Sequence, residues 1–337
     1  MSVQTYYLLL DKHIKKEEIH KITTEYNFEK IDERGKEHIY SWKGPEYVST
    51  RGCYFSFTYD VNLSDDANKT DIYKTLCATS TVRGCSYADR DKQINIMKAI
   101  RDLYGGKIYD PNQNTWGIRE NEIPQLSKTE IACGIQYVYF CVDLSNKANN
   151  SLIKEVDTRE IWFDVSLNRY EYPQSLVDNN KTVVLLITIF ETFLKSFFRK
   201  YLETNKDAYQ NFIVDYKPKE EISNEEDIFE AHLRKYTFQN LDSANKAYKK
   251  YLNFNLKQEV LNIEIIPTKK DTKIGFLLTQ LLSIRHKKIH EDIYSLDLTK
   301  EKTIQYRNLI RIFGENFIGK FMKNHNLKLL IERELEY

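Results

Sequence analysis

"TVVLLITIFETFLKSFFRKYLE", Thr182 to Glu203, decides how the second half of this chain folds. Apolar residues fall on nearly every helical face of it, and Glu191 is the lone carboxylate between Val183 and Leu194. Such a run describes a helix enclosed by other helices, because a surface helix keeps its apolar residues to one stripe. A glutamate and a lysine interrupt the run before it reaches the ~20 apolar residues of a membrane span, and no other stretch comes closer.

Downstream the strand signal nearly vanishes. "NEEDIFEAHLRKY" opens with Asn224 as an N-cap and acidic residues in the first turn. "SANKAYKKYL" continues as helix, "KIGFLLTQLLSIRHKKIHEDIYSL" reads as a long one, and "KEKTIQYRNLIRIFGENFIGKFMKNH" as another with Ile304, Leu309, Ile312, Phe313 and Phe317 as core candidates. Residues 178–337 therefore read as an all-α bundle of four or five helices.

Upstream, "NRYEYPQSLVDNNK" (Asn168 to Lys181) has a proline, several amides and no period, and marks the break between two domains. Residues 1–172 read as α+β. "TYYLLL", "CYFSFTYDV", "KIYD", "IQYVYFCVDL" and "EIWFDVSL" read as strands. "KKEEIHKITTEY" and "DRDKQINIMKAIRDLYGG" read as helices, the second with a stripe of Ile94, Met97, Ile100 and Leu103 and a stop at Gly105-Gly106. The order suggests a ferredoxin-like sandwich with added strands.

Length and composition agree with two folded domains: 337 residues, 41% hydrophobic, 29% charged. With 50 Lys+Arg against 49 Asp+Glu, the net charge of +1 excludes nucleic-acid binding by bulk attraction, so any such binding needs a local patch. Five cysteines, Cys53, Cys77, Cys85, Cys133 and Cys141, form no CxxC pair. Their odd number argues against a disulfide framework or a zinc ribbon and for buried thiols in a reducing cytoplasm. No basic segment precedes the short apolar run near the start, so neither a signal peptide nor a membrane anchor is expected.

The chemistry concentrates in "LLSIRHKKIHEDI", Leu281 to Ile293. On a helical wheel Ile274, Leu278, Leu281 and Ile289 lie within roughly 40° of Arg285, which puts a guanidinium at the centre of an apolar stripe. Burying that charge unpaired is costly. It can pair with a carboxylate of the bundle such as Glu191, or line a site. His286 and His290 are one turn apart on one flank. Arg285 and His290 are about 140° apart and meet only at a shared third object. Without HExxH or CxxC, a metal site lacks its further ligands, and none is expected. Metal-free RNA cleavage, in contrast, needs a base, an acid and a cation on the phosphate, which two histidines and an arginine supply.

"RHKKIH" resembles the R-polar-x-x-x-H signature of the HEPN superfamily, with its apolar lead-in "LLTQLLSI" and its late position in a helical bundle. "FETFLKSFF" is similar to the first core helix of that superfamily. The resemblance implies a HEPN-like nuclease domain that dimerises, with facing motifs forming one composite ribonuclease site. Arg285 would bind phosphate, His290 would act in acid/base catalysis, and His286 would orient or assist. Glu191 would hold the arginine, as an acidic residue on that helix does in some members; its simpler alternative is an i,i+4 pair with Lys195. Lys287, Lys288, Arg199 and Lys200 are the candidates for an RNA-binding patch. No cofactor is implied.

In the first half, Tyr54, Phe55, Phe57 and Tyr59 would suit base stacking if exposed and a core if buried. Taken together, the expectation is a homodimeric, metal-independent endoribonuclease of bacterial anti-phage defence, toxin-like or abortive. It would release a 2′,3′-cyclic phosphate and work with a phage-derived trigger or an antitoxin partner. The other class of reading is a non-catalytic HEPN-like module that binds RNA, a nucleotide or a protein.

Overall fold

The computed structural model describes residues 4–62, 72–82, 84–149, 152–164, 166, 169–216, 225–265 and 272–329. They divide into two compact units, the first running to Ile131 and the second from Ala132 to Leu329.

The first unit is built on one antiparallel sheet. Its strands are β1 (Gln4–Leu10), β2 (Glu29–Arg34), β3 (Glu37–Trp42), β4 (Cys53–Asn62), β5 (Ile72–Thr81), β6 (Lys107–Asp110) and β7 (Thr115–Trp116), in the order β2-β3-β4-β5-β1-β6-β7. Helix α1 (Lys16–Glu25) follows β1, and α2 (Tyr87–Tyr104) follows β5. The core joins Tyr6, Leu8 and Leu10 of β1, Phe55 and Phe57 of β4, and Ile94, Met97 and Ile100 of α2. Leu103, expected in that stripe, is exposed, because nine residues beyond Ile94 it has turned to about the opposite side of the helix. Strands β2, β3 and β5 give little apolar signal. In β5 the inward positions are Thr75, Cys77, Thr79 and Thr81, all buried, so alternation is present in space but hidden in hydropathy. On β4 the aromatics divide by face: Phe55 and Phe57 are core, while Tyr54 is exposed.

The second unit begins about forty residues before the proline-containing break. "IQYVYFCVDL" is not a strand but the middle of α3 (Lys128–Lys147). Cys133, Tyr137, Phe140 and Leu144 recur at helical spacing and enter the helical core, while Tyr139 and Val142 stay exposed. Aromatic and β-branched residues gave the segment a strand-like composition; its burial has the period of a helix. That packing places residues 132–172 with the bundle and corrects the expected boundary at 172–178. "EIWFDVSL" contributes only β8 (Trp162–Asp164), paired with β9 (Arg169–Glu171).

Helix α4 (Gln174–Thr204) is the central element. It starts after Pro173, so the amides Asn179 and Asn180 belong to the helix and are buried in it. Around it stand α5 (Lys206–Val214), α6 (Glu225–Leu233), α7 (Leu241–Tyr251), a π-helical turn at Lys257–Leu261, α8 (Ile274–Glu291) and α9 (Lys300–Asn324). With α3 this makes seven helices among the described residues, more than the four or five expected. The expected cap Asn224 lies outside the described residues.

Aromatic packing fastens α9 to α4. Phe193 and Phe197 meet Phe317 edge to face at 5.3 and 4.9 Å between ring centroids, and Phe190 meets Phe313 at 4.9 Å. Each such pair adds about 0.5–1.5 kcal/mol beyond its buried area. Gly314 lets α9 approach α3, since a Cβ there would fall 2.2 Å from the Phe140 ring. Of the five core candidates on α9, Leu309, Phe313 and Phe317 are buried, while Ile304 and Ile312 are only partly so. No helix among the described residues is long and apolar enough to cross a membrane.

Candidate active site

Helix α8 carries the motif, and three features fix it. Its inner face buries Ile274, Leu278 and Leu281 against the bundle. Gly275 at its start sits against the π-helical turn, where a Cβ would lie 2.9 Å from the Cβ of Leu261. At its far end Asp292 adopts a left-handed conformation (φ 52°) and ends the helix. The following loop is tied to α4 by the buried Asn180, whose Nδ2 donates to the Ser295 carbonyl at 3.2 Å and whose Oδ1 accepts from the Ser295 amide at 2.9 Å.

The apolar stripe does not run the length of the helix. It stops at Leu281; Ile289, on the same wheel line, is 49% exposed. Arg285 stands where the buried part gives way to the open part. Its Nη1 lies 3.5 Å from Oε1 of Glu191 on α4, with both side chains largely buried (18% and 12% exposed). Glu191 thus faces Arg285, and no Glu191–Lys195 ion pair occurs among the described residues. The pair is incompletely satisfied: Arg285 Nε and Glu191 Oε1 are buried without a hydrogen-bond partner. Burial pushes the Glu191 carboxyl above its ordinary value, and Arg285 and Gln239 only partly pull it back.

Arg285, His286 and His290 all line one cleft of about 680 Å³. The two imidazole rings lie 4.7 Å apart, tilted by 44°. The shared object required by the 140° separation of Arg285 and His290 therefore has a place within a single chain. The cleft follows α8 along Phe276, Thr279, Ser283, His286 and His290, an i, i+3, i+7 line beside the buried stripe. Gln239 to Asp242, at the start of α7, and Lys257, Leu261 and Asn262, at the π-helical turn, also line it.

The four basic candidates are not part of this cleft. Arg199 is bound by Glu203 at 2.6 Å and Glu230 at 2.5 Å, and Lys200 by Glu203 at 2.7 Å. These ion pairs spend the charge within the helix layer. Lys288 pairs with Asp292 and lies 3.5 Å from the centroid of the Tyr294 ring, so it secures the helix end. Lys287 is exposed and outside the cleft. The cations that do line the cleft besides the motif are Lys257 and Lys273, which sequence reasoning missed. The polar line from Phe276 to His290 was readable on the wheel. Lys257 was not, since chain folding alone brings it opposite α8.

No family model, curated protein or solved structure matches the chain.

Proposed function

We propose that the protein is a metal-independent endoribonuclease of the HEPN type, acting in bacterial defence against phage. The observation that carries this reading is the gathering of Arg285, His286 and His290 on one cleft. Arg285 holds the scissile phosphate, where a planar guanidinium can engage two oxygens. His290 serves in acid/base catalysis and His286 assists it. The 2′-oxygen forms a bond to phosphorus as its proton passes to a base. The bond from phosphorus to the 5′-oxygen breaks as that oxygen takes a proton, leaving a 2′,3′-cyclic phosphate. Glu191 orients Arg285 from below; the unsatisfied Nε and Oε1 leave the pair room to adjust when an anion arrives.

The homodimer belongs to this proposal, and the exposed Ile289 and Ile293 at the open end of α8 suit an apolar seam with a second copy. We read the first unit as ferredoxin-like, a sensing or specificity domain for a phage-derived trigger or an antitoxin partner. Its support is the order β1-α1-β4-β5-α2-β6, with β2 and β3 inserted and β7 appended.

The test is cleavage of total RNA in EDTA by wild type, Arg285→Ala and His290→Ala. Loss of cleavage in both variants is expected; undiminished cleavage in both overturns the reading. A second reading rests on the Glu191–Arg285 contact. There Arg285 is a structural charge, and the cleft binds RNA, a nucleotide or a protein segment without cutting. Saturable binding with no product from any RNA selects that reading.

A further inference from the structure

The motif occupies only one end of its cleft. From Lys273, which caps α8, to His290 the lining runs seventeen residue steps, about 25 Å, which is more than one phosphate requires. The far end carries Phe276, 45% exposed although it sits on a helix whose neighbouring apolar residues Ile274 and Leu278 are buried. Lys257 and Lys273 line the same cleft and form no ion pair among the described residues. Arg285 is already opposed by Glu191, which leaves Lys257 and Lys273 against the single lining carboxylate of Asp242, in a chain whose total is +1. Cation is thus concentrated where the rest of the molecule is balanced. An exposed ring beside unpaired ammonium groups is the chemistry of a nucleotide: an aromatic face for a base and cations for the flanking phosphates.

We propose that Phe276, Lys257 and Lys273 form a binding subsite for the nucleotides flanking the scissile phosphate, Phe276 stacking on an unpaired base and the two lysines holding the backbone. This rests on the RNA reading of the cleft but not on its catalytic half. It fixes the substrate class as single-stranded RNA. A base within a duplex is already stacked on both faces, and a cleft of about 680 Å³ admits a nucleotide or two, not a helix. Asn240 contributes less to base reading, because its Oδ1 is already taken as the cap of α7, accepting from the Ser243 amide at 2.9 Å.

The experiment measures affinity of the full-length chain for a short fluorescein-labelled RNA, single-stranded and as its duplex. His290→Ala is the background, so that binding is read without cleavage. Phe276→Ala should weaken single-strand binding by roughly 5- to 100-fold, and Phe276→Trp should restore it. Each of Lys257→Ala and Lys273→Ala should reduce the dependence of log affinity on log salt by roughly 0.7. Thermal melting of each variant separates loss of binding from loss of fold. Equal affinity for duplex, unchanged affinity in the Phe276 and lysine variants, or no binding of any RNA overturns the subsite. Cleavage that needs His290 but ignores Phe276 removes the subsite and leaves the nuclease. Binding that needs Phe276 without cleavage by wild type keeps the subsite and removes the nuclease.

Discussion

Asp89 in the first unit and Glu191 in the second are both buried carboxylates, and the molecule treats them in opposite ways. Asp89 receives six donors: the hydroxyls of Ser49 and Thr50 and the amides of Thr50, Arg51, Gly52 and Ser86. Burial alone would push its carboxyl up, yet these bonds together hold it below the ordinary aspartate value. Glu191 has a cation 3.5 Å away, an oxygen with no hydrogen bond, and a carboxyl held above its ordinary value mainly by burial. A carboxylate that only has to anchor a loop is saturated. On the proposed reading, one left partly unsatisfied beside a cleft is where the fold gives up stability for a site.

The largest expected effect breaks the unsaturated side of this comparison. If Arg285 and His290 are catalytic, Arg285→Ala and His290→Ala should each lower the cleavage rate by about 10²- to 10⁴-fold, measured as product formed in EDTA, with the fold intact for His290→Ala. A loss of activity in Arg285→Ala matched by a loss of cooperative unfolding would instead return Arg285 to the structural role that its contact with Glu191 allows. Second in size comes the saturated side. Asp89→Ala strands several buried donors at once and should cost about 3–5 kcal/mol in urea unfolding of the first unit. A loss below about 1 kcal/mol would show that water replaces the carboxylate and that saturation was not the source of stability.

The same contrast explains what the sequence disclosed. Patterns local to one helix were legible: the all-round apolar α4 and the placement of Arg285 on the apolar face of α8, although that face is buried only as far as Leu281. The helix at "IQYVYFCVDL" was not, because β-branched and aromatic residues occupy both its inner and its outer face and hide the period. Nor were β2, which has no buried residue, β3, whose buried positions are His38 and Tyr40, and β5, whose buried positions are mostly threonine. In the site, Arg285, His286 and His290 could be named from spacing together with the resemblance, and Glu191 as the lone carboxylate of its apolar run. Phe276 stood on the wheel as one more apolar residue until its exposure was known. Lys257 needed the π-helical turn to be folded back against Gly275 before it had a neighbour across the cleft. Arg199 and Lys200 show the limit of counting cations: their ion pairs with Glu203 and Glu230, and their place outside the cleft, cannot be read from charge alone.

Opposite pH slopes should separate the two carboxylates. The folded state lowers the value of Asp89, so its contribution is present above the ordinary aspartate range and lost as pH falls through the folded value. Glu191 is raised, so its contribution is present at low pH, where it is neutral, and lost as pH rises through the folded value. Glu191→Gln stays neutral throughout. Its unfolding free energy relative to wild type should therefore rise as pH passes upward through the glutamate range, with the contact to Arg285 limiting the rise. Asp89→Asn should fall relative to wild type over the acidic range instead. Parallel slopes for the two variants would erase the distinction between anchor and site.

The smallest effect tests whether saturation silences a charge as fully as the comparison requires. Arg199 is 39% exposed in its side chain and sits on the same α4 as Glu191, so composition alone would rank it with the phosphate-binding cations. Its guanidinium is instead shared between Glu203 and Glu230, and Lys200 is drawn to Glu203 as well. For RNA to use either residue it must first displace a carboxylate within hydrogen-bond distance, gaining one contact and losing another. Arg199→Ala and Lys200→Ala should therefore leave RNA affinity within about twofold of wild type at moderate salt, since exposed ion pairs of this kind contribute little. Removing the competitor is the sharper experiment. In Glu203→Gln alone Glu230 still holds Arg199, so affinity should stay near wild type, and a gain should appear only in the Glu203→Gln, Glu230→Gln double variant, where Arg199 loses both carboxylates. A drop in affinity in Arg199→Ala comparable to that in Lys257→Ala would place the RNA path over α4 and away from the cleft along α8.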